Sequence, residues 1–359
     1  MNVYKTIPLK KTLYIWTIAG LTLALLMIFP AECRTGAENG VFLCIQVLIP
    51  SLFPFMVLSD FIVKSGIVST IPLYTERITQ FIFALPKESL AVMLLSLTGG
   101  YPVGAKTIAS MYKSRRINTT EAMRMSLFCI ASGPGFLVTF VGCSMLKDKT
   151  TGYILLLSQI ISFFILGFLS KYFIKDKKES ITTENTCEPI SISEALVNSV
   201  GDAIKSCAYM CALVILFGAV CEIYIECTKD YPNLIWVTSL LEITNGVKFL
   251  SQEYSPVIIS AMCGFSGLCV HFQIFSLLRD IKIPKLKFYI YRILQGILNG
   301  TLTYIFMLIF PRKESVFSTV GKVTPDLNKG ITGCVFLIIC CVIFLISIKD
   351  TKHHTNKSL

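Results

Sequence analysis

Residues 97–106, LTGGYPVGAK, set Thr98, Gly99, Gly100, Tyr101, Gly104 and Lys106 inside an otherwise apolar stretch. Three glycines and a proline within six residues break a helix. In a bilayer, freed backbone groups are tolerated only where they face protein or water. The break is therefore expected to be the tip of a helical hairpin. Pro102 suits the first turn of the half-helix that follows, and the positive end of that half-helix favours an anion. A lysine at membrane depth needs a partner or a function. The plainer reading of Lys106 is a cation snorkelling to the interface beside a structural turn.

A second interrupted segment, LEITNGVK, carries Glu242, Thr244, Asn245 and Lys248. An acid in a broken helix can hold a proton or a cation, pair with a lysine, or accept from a substrate; in the plainer reading the tip reaches water and is merely solvated. By order along the hairpins, the mate of Glu242 in the first segment falls near Thr98. Two further breaks place Ser132, Gly133 and Phe136 (SGPGF) and Gly264, Ser266 and Gly267 (GFSG) within apolar crossings. Small residues there either open the backbone to a ligand or let helices pack closely. His271 and Gln273 follow the second break as candidate polar wall residues, although a histidine in a span is as often bonded to a neighbour. Asp202 and Lys205, at i,i+3 spacing, read as a local ion pair. The sequence has no Ser/His/Asp set, HExxH or phosphate loop, so an enzyme is not expected. It also has no cofactor motif, which leaves a coupling ion, Na+ or H+, as the only non-protein species besides the solute.

The elements that carry these residues belong to a membrane. Of 359 residues, 53% are hydrophobic and only 15% charged, and the mean hydropathy is +0.68; soluble domains carry about 25% charged residues. Continuous apolar runs exclude the alternation of a membrane β-barrel. The net charge of +11 is spread through loops between spans, where topology explains it better than nucleic acid. The 14 cysteines lie mostly in apolar runs, with no paired CxxC set, and read as small packing residues in a reduced setting.

The expected fold is an all-α polytopic membrane protein with inverted repeats, two re-entrant helical hairpins and about eight full spans. Crossings are expected at 13–30, 41–63, 122–146, 152–173, 195–225, 256–278, 286–311 and 331–348. The first is read as a retained span, not a cleaved signal. The parts are a span and loop (1–40), a first repeat (41–174) with its hairpin at 78–112, and a polar linker (175–194). A second repeat (195–285), with its hairpin at 233–250, and two closing spans with a basic tail (286–359) complete the chain. In each half a span, a hairpin and a broken span follow one another with opposite orientation, as in inverted-repeat transporters. On this layout Lys and Arg divide twenty to eight between the two sides, which puts both termini in the cytoplasm. Partners are a lipid bilayer and a small anionic solute, and a homo-oligomer is compatible with the sequence.

The segments PSLFPFMVLSDFIVKSG, GGYPVGAK, TTEAMRMSLFCIASGPGFLVTFVG, LEITNGVK and GFSGLCVHFQ, in that order over residues 49–273, resemble the sporulation integral membrane proteins that carry the nucleoside-recognition Gate domain. Those proteins are distant relatives in fold of the concentrative nucleoside transporters. The resemblance implies a carrier of dipicolinic acid across the outer forespore membrane of a sporulating member of the Firmicutes. Dipicolinate is a small planar aromatic dianion, which suits two inward-pointing tips with Lys106, Lys248 and helix N-termini; Tyr101 and Phe136 are placed to stack on its ring. A nucleoside or other small-metabolite carrier, or a non-transporting scaffold of the spore envelope, are the alternatives.

Overall fold

The computed structural model describes residues 9–173 and 191–310. The crossing expected at 331–348, most of the linker, and the basic tail lie outside the described residues, and so does the placement of Lys177 and Lys322. Among the described residues there is no strand, and five helices are long and apolar enough to cross a membrane. The chain is an all-α polytopic membrane protein.

Helix α1 (Leu9–Ile28) is followed by α2 (Pro30–Leu43), which runs through a wider π turn at Cys44–Leu48 into α3 (Ile49–Lys64). The polar stretch AECRTGAENG, residues 31–40, expected as a loop, is thus helical and extends the crossing expected at 41–63 to Pro30–Lys64. Packing explains the difference. A Cβ on Gly36 would sit 2.4 Å from the Gly218 carbonyl oxygen, and one on Gly40 would sit 2.8 Å from the Ile215 Cα. The small-xxx-small spacing of the glycines lets two backbones touch.

Next come α4 (Tyr74–Phe83), α5 (Ser89–Gly99), α6 (Tyr101–Lys113) and α7 (Thr119–Phe128). The expected hairpin at 78–112 therefore divides: α4 is a separate amphipathic helix closed by Ala84 at φ +48°, and the hairpin proper is α5 and α6. The start of α7 is fixed by a capping box, with the Asn118 side chain and the Glu121 side chain each accepting the other's amide at 2.8 Å. After α7 the chain is irregular through Gly133, then winds from Pro134 into a π-helix (Gly135–Met145) before α8 (Lys149–Phe173).

The second half opens with α9 (Ile192–Cys227), followed by the short α10 (Val237–Leu241) and α11 (Ile243–Glu253). A crossing then breaks into α12 (Pro256–Phe265) and α13 (Gly267–Leu277), and α14 (Lys285–Ile309) closes the described chain. A polar ladder ties α8 and α12 to α14: Asn299 Nδ2 donates to Gln159 Oε1 at 2.7 Å, and Thr303 Oγ1 to Ser260 Oγ at 2.7 Å. Away from water, such bonds hold helices that no hydrophobic drive pulls together.

Candidate functional site

The two hairpins meet the two broken crossings in the same way. Gly100, the single residue between α5 and α6, has φ +87° and ψ −173°, and a Cβ on it would lie 3.2 Å from the Gly133 amide nitrogen. Glu242, the single residue between α10 and α11, borders the turn against which Gly267 packs. A Cβ on Gly267 would lie 3.0 Å from the Ser239 carbonyl oxygen and 3.3 Å from the Ile243 nitrogen. Each tip is thus seated on the break that follows it in the chain. The two pairs are also joined to each other, because the Tyr101 hydroxyl donates to the Cys263 carbonyl and accepts from Ser132 Oγ.

Between the tips lies a cavity of about 620 Å³. Thr98, Gly99, Gly100 and Tyr101 line it from the first tip, Gly133 and Phe136 from the first break, Glu242 and Thr244 from the second tip, and Gln273 from α13. Phe136 and Phe140 stack with centroids 5.4 Å apart and give it an aromatic wall. The N-termini of α6, the π-helix and α11 all open at this cavity, so their partial positive charges add there. One of those ends is already compensated: Glu242 Oε1 and Oε2 accept the amides of Thr244 at 2.9 Å and Asn245 at 2.7 Å. By position, Glu242 corresponds to Gly100 in the first hairpin, not to Thr98.

Other expected residues stand elsewhere. Lys106 does not line the tip cavity: it lies on α6 beyond the tip and donates to the Asp202 carbonyl at 2.9 Å and Ser206 Oγ at 3.0 Å on α9. Lys248 is turned to Asn245 Oδ1 at 3.4 Å and lines no part of the tip cavity. The expected pairing of the two lysines around one dianion is therefore not what the geometry contains. His271 is fully buried, with Nε2 2.8 Å from the Phe265 carbonyl oxygen and its ring against Phe265, Phe288 and Tyr289. Gly104 packs on Ser96 and the Cys129 carbonyl, and Gly264 packs on α14. Ser132, Ser266, Gly267 and Asn245 shape the breaks and tips without lining the cavity.

Several contributors were not among the expected site residues. Pro50 and Pro54 of α3, four apart on one helical face, line the cavity with Ser51 and Phe55; two prolines in a span were the signal. Two arginines hold the broken backbone in place. Arg292 donates to the carbonyls of Leu127 at 2.7 Å and Ile130 at 2.8 Å, and Arg124 donates to the carbonyls of Phe83 and Ala84. Each therefore closes the negative end of a helix that stops inside the protein.

Beyond the tip cavity an apolar layer crosses the bundle, in which Met56 of α3, Val103 of α6 and Cys207 of α9 are buried together. On its far side is a second, polar cavity of about 360 Å³, lined by Asp60, Lys64, Lys106, Ser110, Asp202 and Arg279 among others.

Fold and site together define an integral membrane protein whose broken helices enclose a cavity. The chain is 23% identical over 312 residues to the sporulation integral membrane protein YlbJ of Bacillus subtilis (strain 168), covering 75% of this chain and 76% of that protein. No protein-family profile matches the sequence, and no solved structure matches it.

Proposed function

We propose that the protein is a membrane carrier of a small aromatic dianion during sporulation, with dipicolinic acid crossing the outer forespore membrane as the leading case. The observation that carries this reading is the tip cavity, where the N-termini of α6 and the π-helix, neither of them capped by a side chain, and the Phe136–Phe140 wall converge on one volume. Converging N-termini favour negative charge, and stacked rings favour a planar one. The similarity to a sporulation membrane protein supports the cellular setting, as does the resemblance to the Gate-domain proteins. The repeated seating of tip on break supports an inverted-repeat design with re-entrant hairpins. Both termini are cytoplasmic in this reading. Glu242 is the proposed meeting point of a coupling Na+ or H+.

A second reading, a carrier of a neutral heterocycle such as a nucleoside, is favoured by one observation: no lysine or arginine is among the described residues lining the tip cavity. Uptake into proteoliposomes separates the two. Saturable uptake of dipicolinate that uridine does not inhibit, reduced by F136A in protein of normal abundance, is the expected result. Inhibition by uridine, with transport of uridine itself, moves the assignment to the nucleoside. Absence of any flux leaves the envelope scaffold.

A further inference from the structure

The polar cavity on the far side of the apolar layer carries more positive charge than its own side chains use. Lys64, Lys106, Lys113, Lys205 and Arg279 line it, against the carboxylates of Asp60 and Asp202. Asp60 is occupied by Ser110 Oγ, which donates to Oδ1 at 2.6 Å, and by Lys64 at 2.8 Å from Oδ2. Asp202 takes the same Lys64 at 2.7 Å and Lys205 at 3.9 Å. At the rim, Asp280 lies 3.7 Å from Lys113 and 3.9 Å from Arg279. Among the described residues five cations therefore meet three carboxylates, an excess of two.

Lys106 is the most deeply buried of these cations. It is only 8% exposed, yet its two acceptors, the Asp202 carbonyl and Ser206 Oγ, are neutral. An ammonium has three donors, so one is left. A charge withdrawn this far from water calls for an anion.

We infer that this cavity is a second binding site, for a small dicarboxylate dianion, one carboxylate of which accepts from Lys106 while the other lies among the exposed Lys113, Lys205 and Arg279. Its excess of two positive charges matches that ligand, and a monoanion fills only half of it. The same four helices, α3, α6, α9 and α13, line both cavities. As a station on the way to the tip cavity, the site rests on the carrier reading above. As a binding site it stands alone.

Calorimetric titration of the purified full chain with pyridine-2,6-dicarboxylate, with benzoate as the monoanion control, tests it. The dianion is expected to bind with a dissociation constant that rises with salt, and benzoate far more weakly. K106M should weaken binding roughly 10–100-fold, the size of a lost charged hydrogen bond, and K106R should recover part of it. The double variant K113Q/K205Q changes two exposed side chains and leaves the fold untouched; it should weaken binding and flatten the salt dependence. Undiminished binding in K113Q/K205Q together with undiminished binding in K106M overturns the site; if K106M does not fold, the double variant alone decides. Loss of binding in phosphatidylglycerol nanodiscs but not in phosphatidylcholine nanodiscs at one ionic strength gives the cavity to a lipid headgroup and also overturns it. F136A lies outside this cavity. If it leaves both binding and uptake intact, the tip-cavity carrier reading fails while the second site survives.

Discussion

Glu242 closes the first turn of α11 with both carboxylate oxygens while its side chain borders the tip cavity. An anion entering that cavity meets a like charge unless a proton or cation accompanies it. E242Q keeps one acceptor for the helix end and removes the charge, so we expect a loss of about 0.5–2 kcal/mol of stability, the usual value of such a cap. Substrate binding should persist, and uptake should lose its dependence on pH or sodium. Proteoliposomes with imposed ion gradients measure this, and full, still ion-dependent uptake by E242Q removes the coupling role. At this scale the sequence was informative about type and silent about direction. An acid in a broken helix marked Glu242, but nothing local showed that Lys106, about 7 Å along α6 from the tip, turns to α9. Arg292 was invisible as a helix closer because its acceptors, Leu127 and Ile130, are more than 160 positions away in the chain.

The hairpins and breaks depend on a few backbone conformations. Gly100, at φ +87° and ψ −173°, occupies a region closed to side chains, and a Cβ there would also press on Gly133. G100A should lower the melting temperature in detergent, through a loss of about 1–3 kcal/mol, and should reduce uptake by lifting the first tip off its seat. Ser266 presents the reverse case, a non-glycine residue at φ +83°. S266G should raise the melting temperature by relieving about 1 kcal/mol of left-handed strain; an unchanged or lower value would mean that the Ser266 hydroxyl, placed near the Gly264 carbonyl at 3.3 Å, outweighs the strain. The breaks themselves were legible as clusters of small residues in SGPGF and GFSG, although the same residues also read as close helix packing, which is the role Gly264 takes against α14. The helix over AECRTGAENG was not, because its polar composition reads as loop and its Gly36–Gly218 contact exists only once α2 and α9 are packed.

Across the whole molecule, the two cavities and the apolar layer between them fall along the same helices in one order. On α3 the sequence runs from Pro54 at the tip cavity through Met56 to Asp60 and Lys64. On α6 it runs from Tyr101 through Val103 to Lys106, and on α9, in reverse, from Met210 through Cys207 to Asp202. Hydrophobic side chains packed across a path exclude water and ions from it, so Met56, Val103 and Cys207 are expected to be the barrier that separates the aqueous sides in this conformation. Cys207, 6% exposed, is a built-in reporter. In a background that keeps only this cysteine, a membrane-impermeant charged thiol reagent should react slowly from either side. M56A removes the largest side chain of the layer; it should lose about 2–5 kcal/mol of stability as a core truncation and should speed labelling of Cys207 by letting water reach it. Addition of dipicolinate, if it favours a conformation with the layer opened on one side, should speed labelling in the unsubstituted layer from that side only. Cys207 equally inert with and without Met56, in protein that still takes up substrate, would place the barrier elsewhere and leave the two cavities as separate sites instead of two ends of one path.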